Sequence, residues 1–300
     1  MPLPRYLHSA ASIAHQTACA VLLASAASSA LADDIVWVGT DFPPMAMSQG
    51  PHARQGYIDV IFSHLRDSFP QHRFTDEVVP WTRALNMAQR GGPYCLISAF
   101  QTAERDAFLR FSAPYGHVLP IGVVIRAADK SRFSSFVTKN GDFRLAEALQ
   151  QQAVGMGIAG SRSYGPKIDV LLKPWVAAGA KHVHRAHQDE STKYLMSMLE
   201  RNRFDYMLAY PSEVEYYASS SNALHFYPID GNNDLLPGRL SCTKSPQTDR
   251  VFAEVSALVH TPKFQTVFLT AYERWLPKYL IAPYRLRLQN LPSAPAPTSP

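Results

Sequence analysis

Residues 100–115, Phe-Gln-Thr-Ala-Glu-Arg-Asp-Ala-Phe-Leu-Arg-Phe-Ser-Ala-Pro-Tyr, hold the side chains best suited to gripping an anion. A short apolar run, 95–99, ends in a polar turn that displays Arg105 beside the hydroxyl of Thr102, and a second turn passes through 111–115. A guanidinium offers a planar fork of donors that matches two carboxylate oxygens, and it stays charged at any working pH. The bland alternative is a surface loop in which Arg105 pairs with Glu104 or Asp106. Farther on, Ser161, Arg162 and Ser163 open a predicted helix, where free backbone N–H groups, two hydroxyls and a guanidinium together suit an anion. Plain capping by one serine, with Arg162 solvated, is the alternative there.

Other motifs carry less. Gly155-Met156-Gly157-Ile158-Ala159-Gly160 matches the dinucleotide fingerprint G-x-G-x-x-G. That fingerprint needs a full strand before it and an acidic residue about 20 positions on, and 179–186 holds none. The glycines are expected within a tightly packed strand instead, and no cofactor is expected. His182, His184 and His187 have no carboxylate or cysteine nearby until Asp189 and Glu190, so no metal is expected. The chain has no G-x-S-x-G, H-E-x-x-H or C-x-x-C, which removes common hydrolase and redox classes.

Residues 1–32 read as an export signal. Arg5 is the one charged residue before Asp33, an apolar stretch follows over 18–24, and Ala30-Leu31-Ala32 fits a cleavage site after Ala32. The apolar stretch is too short to span a membrane, and no later window reaches the roughly 20 apolar residues a span needs. The exported chain is expected to be soluble. Without Arg5, 28 basic side chains face 24 acidic ones, spread without long runs, so nucleic acid is not an expected partner. Of three cysteines, Cys19 lies in the leader and Cys95 and Cys242 remain, an even pair in an oxidising compartment.

The elements that must position these residues alternate. Strands are predicted at 35–38, 74–79, 121–125 and 153–158, and amphipathic helices around Ile58, Ile61, Phe62 and Leu65 and from Trp81 to Ala88. A helix is predicted over 163–172, and two more after residue 243, patterned by Phe252, Val255 and Val259 and by Phe264, Phe268 and Trp275. Such alternation points to mostly parallel sheets covered on both faces. The layout is one α/β lobe interrupted by another, crossed near 114–120 and 228–240, and two crossings make a hinge with a cleft between the lobes. The division expected is a signal peptide over 1–32, a first lobe from 33–116 and 238–290, a second from 117–237, and a disordered tail at 291–300.

Several stretches together resemble the family 3 extracellular solute-binding proteins, the periplasmic receptors of ABC importers. They are Thr40-Asp41-Phe42-Pro43-Pro44, Gly56-Tyr57-Ile58-Asp59, Pro80-Trp81-Thr82-Arg83-Ala84, the Thr102–Tyr115 segment, Gly160-Ser161-Arg162-Ser163, Arg203-Phe204-Asp205-Tyr206 and Arg274-Trp275-Leu276. The resemblance covers about residues 34–278 in the family's order and is nearest to an uncharacterised branch. It implies a two-lobed, type II periplasmic-binding-protein-like α/β fold. It also implies a monomer that closes over a small carboxylate-bearing ligand without chemistry and passes it to an ABC permease in the inner membrane. Arg105 and Thr102 would anchor the anion, Phe42 and Trp81 would pack the ligand body, and Ser161, Arg162 and Tyr210 would close from the second lobe. The strands carrying Cys95 and Cys242 would be neighbours, which implies a disulfide.

The departures from the family bear on the ligand. Tyr210 stands where amino-acid receptors place an ammonium-binding aspartate, with Glu213 the nearest acid, and Phe100 and Ser98 replace a threonine and a glycine of the ammonium site. A ligand without an α-ammonium is therefore expected, since a buried cation poorly paired costs a few kcal/mol. Two alternatives share the cleft. One is a sensory subunit for a signalling partner; the other is a dehydratase-like enzyme using Glu213 or Asp41 as general acid.

Overall fold

The computed structural model describes residues 33–160, 162–186, 192–220 and 222–291. The expected leader with its cleavage after Ala32, Ser161, His187, Asp189, Glu190 and the tail beyond Leu291 lie outside the described residues.

The chain opens with β1 (Asp34–Gly39), α1 (Tyr57–Ser68), β2 (Arg73–Val78), α2 (Trp81–Gln89), β3 (Tyr94–Leu96), a single helical turn α3 (Ala103–Asp106) and β4 (Leu109–Val118). It continues through β5 (Gly122–Arg126), α4 (Lys130–Phe133), α5 (Leu145–Gln150), β6 (Met156–Ala159), α6 (Pro166–Ala177), β7 (Val183–Ala186), α7 (Thr192–Glu200), β8 (Tyr206–Ala209), α8 (Pro211–Tyr217) and β9 (Leu224–Tyr227). It closes with β10 (Leu236–Thr243), α9 (Pro246–Val259), α10 (Pro262–Glu273) and α11 (Lys278–Gln289). Local sequence explains α1: Ile58, Ile61, Phe62 and Leu65 recur at helical spacing and are buried, and Pro70 forbids extension. At its start the Asp59 carboxylate accepts the amides of Gly56 and Met47, each at 2.9 Å.

Two five-stranded sheets result, in the orders β2-β1-β3-β10-β4 and β7-β6-β8-β5-β9. The expected parallel pairing holds where strands alternate with helices: β2 and β3 flank β1, and β7 and β8 flank β6. The strands that carry the chain between sheets, β4, β5, β9 and β10, add antiparallel pairs, so each sheet is mixed. The chain leaves the first sheet through 119–121 and returns through 228–235.

Three local expectations are corrected. The turn expected at 111–115 is the middle of β4, which tolerates Pro114 because it is an edge strand whose pairing with β10 slips beside that proline. The helix expected from Ser163 starts at Pro166, because Gly165 at φ +99° is not helical and Pro166 suits the first turn. Helix α11 was not expected: it carries Pro283 inside and buries only Leu280 and Tyr284, so its periodicity is faint.

Of three buried apolar clusters among the described residues, one runs through both sheets, joining Trp37, Phe62 and Tyr115 to Met196, Leu199 and Phe226. The C-terminal helices brace the crossings through tyrosines. The amides of Leu119 and Phe226 donate to the hydroxyls of Tyr272 (3.0 Å) and Tyr279 (2.8 Å), and the Tyr284 hydroxyl donates to the His117 carbonyl at 2.6 Å. Cys95 and Cys242 lie directly opposite in the β3–β10 ladder and are bonded as a disulfide.

Candidate functional site

The loops that follow the carboxyl ends of the parallel strands hold most of the residues singled out above. In open α/β sheets these ends are where ligands bind, since loops and helix starts converge there. After β1 comes Phe42, after β2 comes Trp81, and after β3 come Ser98, Phe100, Thr102 and Arg105. In the second sheet Arg162 follows β6, and Tyr210 and Glu213 follow β8.

Arg105 is set by its own turn. Thr102 caps α3, its hydroxyl accepting the Arg105 amide at 3.3 Å, and Arg105 Nη1 donates to the Phe100 carbonyl at 2.7 Å. The guanidinium carbon lies 5.7 Å from the Trp81 ring centroid. Asp106 instead accepts from Gln101, and among the described residues no carboxylate pairs with Arg105. Phe100 is exposed. These residues form one cluster with a charged fork held in place and not neutralised.

A second cluster joins the lobes. Arg162 makes a bidentate pair with Glu213, 2.8 Å at both nitrogens, and Nη1 also reaches Thr192 Oγ1 at 2.9 Å. Thr192 in turn donates to Glu213 at 2.7 Å, and the Tyr210 amide donates to Glu213 at 2.8 Å, so this carboxylate is fully committed. Three rings surround the guanidinium carbon: Phe42 at 5.3 Å, Tyr210 at 5.4 Å and Tyr164 at 5.5 Å. Phe42 comes from the first lobe and meets Tyr210 edge-on, with centroids 6.4 Å apart. Burial pulls the Arg162 pKa down, but the charge and hydrogen bonds of Glu213 outweigh it and hold the guanidinium ionised. Burial pushes the phenols of Tyr164 and Tyr210 up, so both rings are neutral.

Ser98 lines a cavity of about 70 Å³ with Trp37, Phe62, Arg54 and Asp76. Asp41 accepts the Ser48 amide and hydroxyl, both at 2.6 Å, and is exposed. Ser163 and the Tyr164 amide both donate to Asp169, which takes up two of the donors expected to form an anion site there, and the Arg162 guanidinium is taken up by Glu213. The glycine motif serves packing: a Cβ on Gly157 would lie 2.3 Å from the Phe204 ring, and one on Gly160 2.5 Å from the Ala186 carbonyl oxygen. Sequence reasoning missed Tyr164 and Thr192. Tyr164 adjoins a serine-arginine turn and Thr192 begins a helix, but nothing in their spacing marks them as neighbours.

No family model matches the chain, and no curated protein matches it. Solved structures do. The probable amino-acid ABC transporter extracellular-binding protein ytmK from Bacillus subtilis is similar over 83% of this chain and 99% of its own, with a TM-score of 0.57 and 16% identity. An ancestral cationic amino acid solute-binding protein matches over 81% of this chain and 96% of its own, with a TM-score of 0.57 and 13% identity. A putative L-cystine ABC transporter protein from Listeria monocytogenes matches over 82% and 97%, with a TM-score of 0.54 and 13% identity. Two mixed sheets joined by two crossings, with cleft-side loops at their carboxyl ends, thus give this chain the two-lobed fold of the extracellular solute-binding proteins.

Proposed function

We propose that the chain is a periplasmic solute receptor that captures a small carboxylate-bearing ligand between its lobes and delivers it to an ABC-type permease in the inner membrane. The observation that carries the reading is Arg105, a guanidinium fixed by Thr102 and the Phe100 carbonyl, beside Trp81, with no carboxylate partner among the described residues. A charge held in that way is ready for a bidentate anion. Trp81 and Phe42 supply apolar contact for the ligand body. The fold shared with substrate-binding proteins of ABC transporters supports the role.

The ligand is a carboxylate without an α-ammonium. Tyr210 is neutral and Glu213 is spent on Arg162, Thr192 and an amide, so neither can balance a bound cation. The same pairing ties both Glu213 oxygens to Arg162, Thr192 and an amide rather than to the cleft, which argues against a catalytic role. Mass spectrometry of ligand co-purifying with the native protein identifies the carboxylate. Calorimetry with that compound should then show Arg105→Ala binding more than tenfold weaker, the loss of a desolvated charge pair of about 2–5 kcal/mol. Full affinity in a folded variant would remove Arg105 from the site.

A further inference from the structure

We propose that Arg162 is a built-in occupant of an organic-cation pocket, and that this side chain is what keeps guanidinium and ammonium groups out of the cleft. The inference rests on the reading of the cleft as the ligand site. Taken without Arg162, the surroundings are those that recognise a guanidinium: a carboxylate aimed along a bidentate direction, a hydroxyl beside it, and three aromatic faces. Glu213 is 2% exposed in its side chain, so removing Arg162 leaves a desolvated negative charge facing neutral rings. Phe42 belongs to the other lobe, so the wall is built from both lobes, as a ligand pocket between lobes is and an ordinary intralobe ion pair is not.

Arg162 itself meets solvent on one side. The Arg162 side chain keeps 15% exposure, and a surface cavity of about 180 Å³ runs along Arg162, Tyr164 and Gly160. Shortening the arginine vacates its own volume beside Glu213, on the side where Arg162 keeps its exposure and where Lys173 and Arg185 also line the surface. The wild-type chain, with its pocket filled from within, is left to select ligands by the anion site alone.

Chemical rescue tests this. The Arg162→Ala protein is melted in ethylguanidinium chloride and in potassium chloride at equal millimolar concentration. The guanidinium salt should raise its melting temperature by about 2–4 °C relative to potassium, because a cation that binds only the folded state stabilises it by mass action. Wild type, and the Arg162→Ala/Glu213→Gln double variant, should show no difference between the salts. Should Arg162→Ala not fold alone, refolding from urea is read instead: recovery with ethylguanidinium only supports the pocket, and equal failure in both salts overturns it. A rise in wild type, a rise that survives Glu213→Gln, or no rise in folded Arg162→Ala each overturns it too. No carboxylate is present in these melts, so their outcome is separate from that of the Arg105 calorimetry.

Discussion

The two arginines, 105 and 162, differ in the company they keep. Arg162 is enclosed and doubly paired, while among the described residues the Arg105 guanidinium is held by a carbonyl and a ring face alone. Breaking one side of an enclosed pair strands the other charge, at a cost of about 3–5 kcal/mol, whereas solvated pairs contribute little. Glu213→Gln should therefore lower stability by about 3 kcal/mol in urea unfolding. Arg73→Ala, which breaks a pair whose side chains are 72% and 62% exposed, should leave the unfolding midpoint in place. Equal effects of the two substitutions would mean that water screens the Glu213 pair. Gly157 makes a steric claim at the same scale. Gly157→Ala drives a methyl into the Phe204 ring, so overpacking should cost about 1–3 kcal/mol, read by the same titration.

Among the elements, β9 and α11 form a seam sensitive to acid. His225 on β9 stacks on Tyr279 of α11, with ring centroids 4.9 Å apart, and lies beside Tyr227. Burial, helped by the charge of Lys130, lowers its pKa to about 4. The unfolded chain, with an ordinary histidine near 6.5, takes up a proton first, so the folded state loses relative stability as pH falls from about 6.5 to 4. Because the ring is only partly enclosed, the loss should be about 1–2 kcal/mol. Melting curves of His225→Gln between pH 7 and 4 should fall less steeply than those of wild type. Parallel slopes would assign the acid sensitivity to other groups.

For the whole molecule, the disulfide and the ligand class are the testable features. Cys95 and Cys242 are 147 residues apart, and their bond closes a loop containing the entire second sheet. Loop entropy alone gives such a cross-link about 4–5 kcal/mol. Thiol titration of the denatured, non-reduced protein should find no free thiol in residues 33–300, and reduction should lower the melting temperature by several degrees. A thermal-shift screen at millimolar concentration should find no stabilisation by the twenty standard amino acids and clear stabilisation by some carboxylate lacking an α-amino group. A large shift with a standard amino acid would show that an acceptor other than Glu213 meets its ammonium.

The sequence by itself determined the order of strands and helices, because Ile58, Ile61, Phe62 and Leu65 or the run around Cys95 must be buried wherever they lie. It also marked the turn that displays Arg105, since Thr102 caps that turn within three residues. It missed α11, whose two buried side chains leave almost no periodic trace, and it read β4 as a turn because an edge strand can accept Pro114. Tertiary structure alone decided the fate of Arg162. Its carboxylate partner lies 51 residues away in sequence, Thr192 lies 30 away, and Phe42 stands on the other lobe. Local propensity cannot encode such a meeting, because it depends on how two sheets and their crossings bring distant strand ends together.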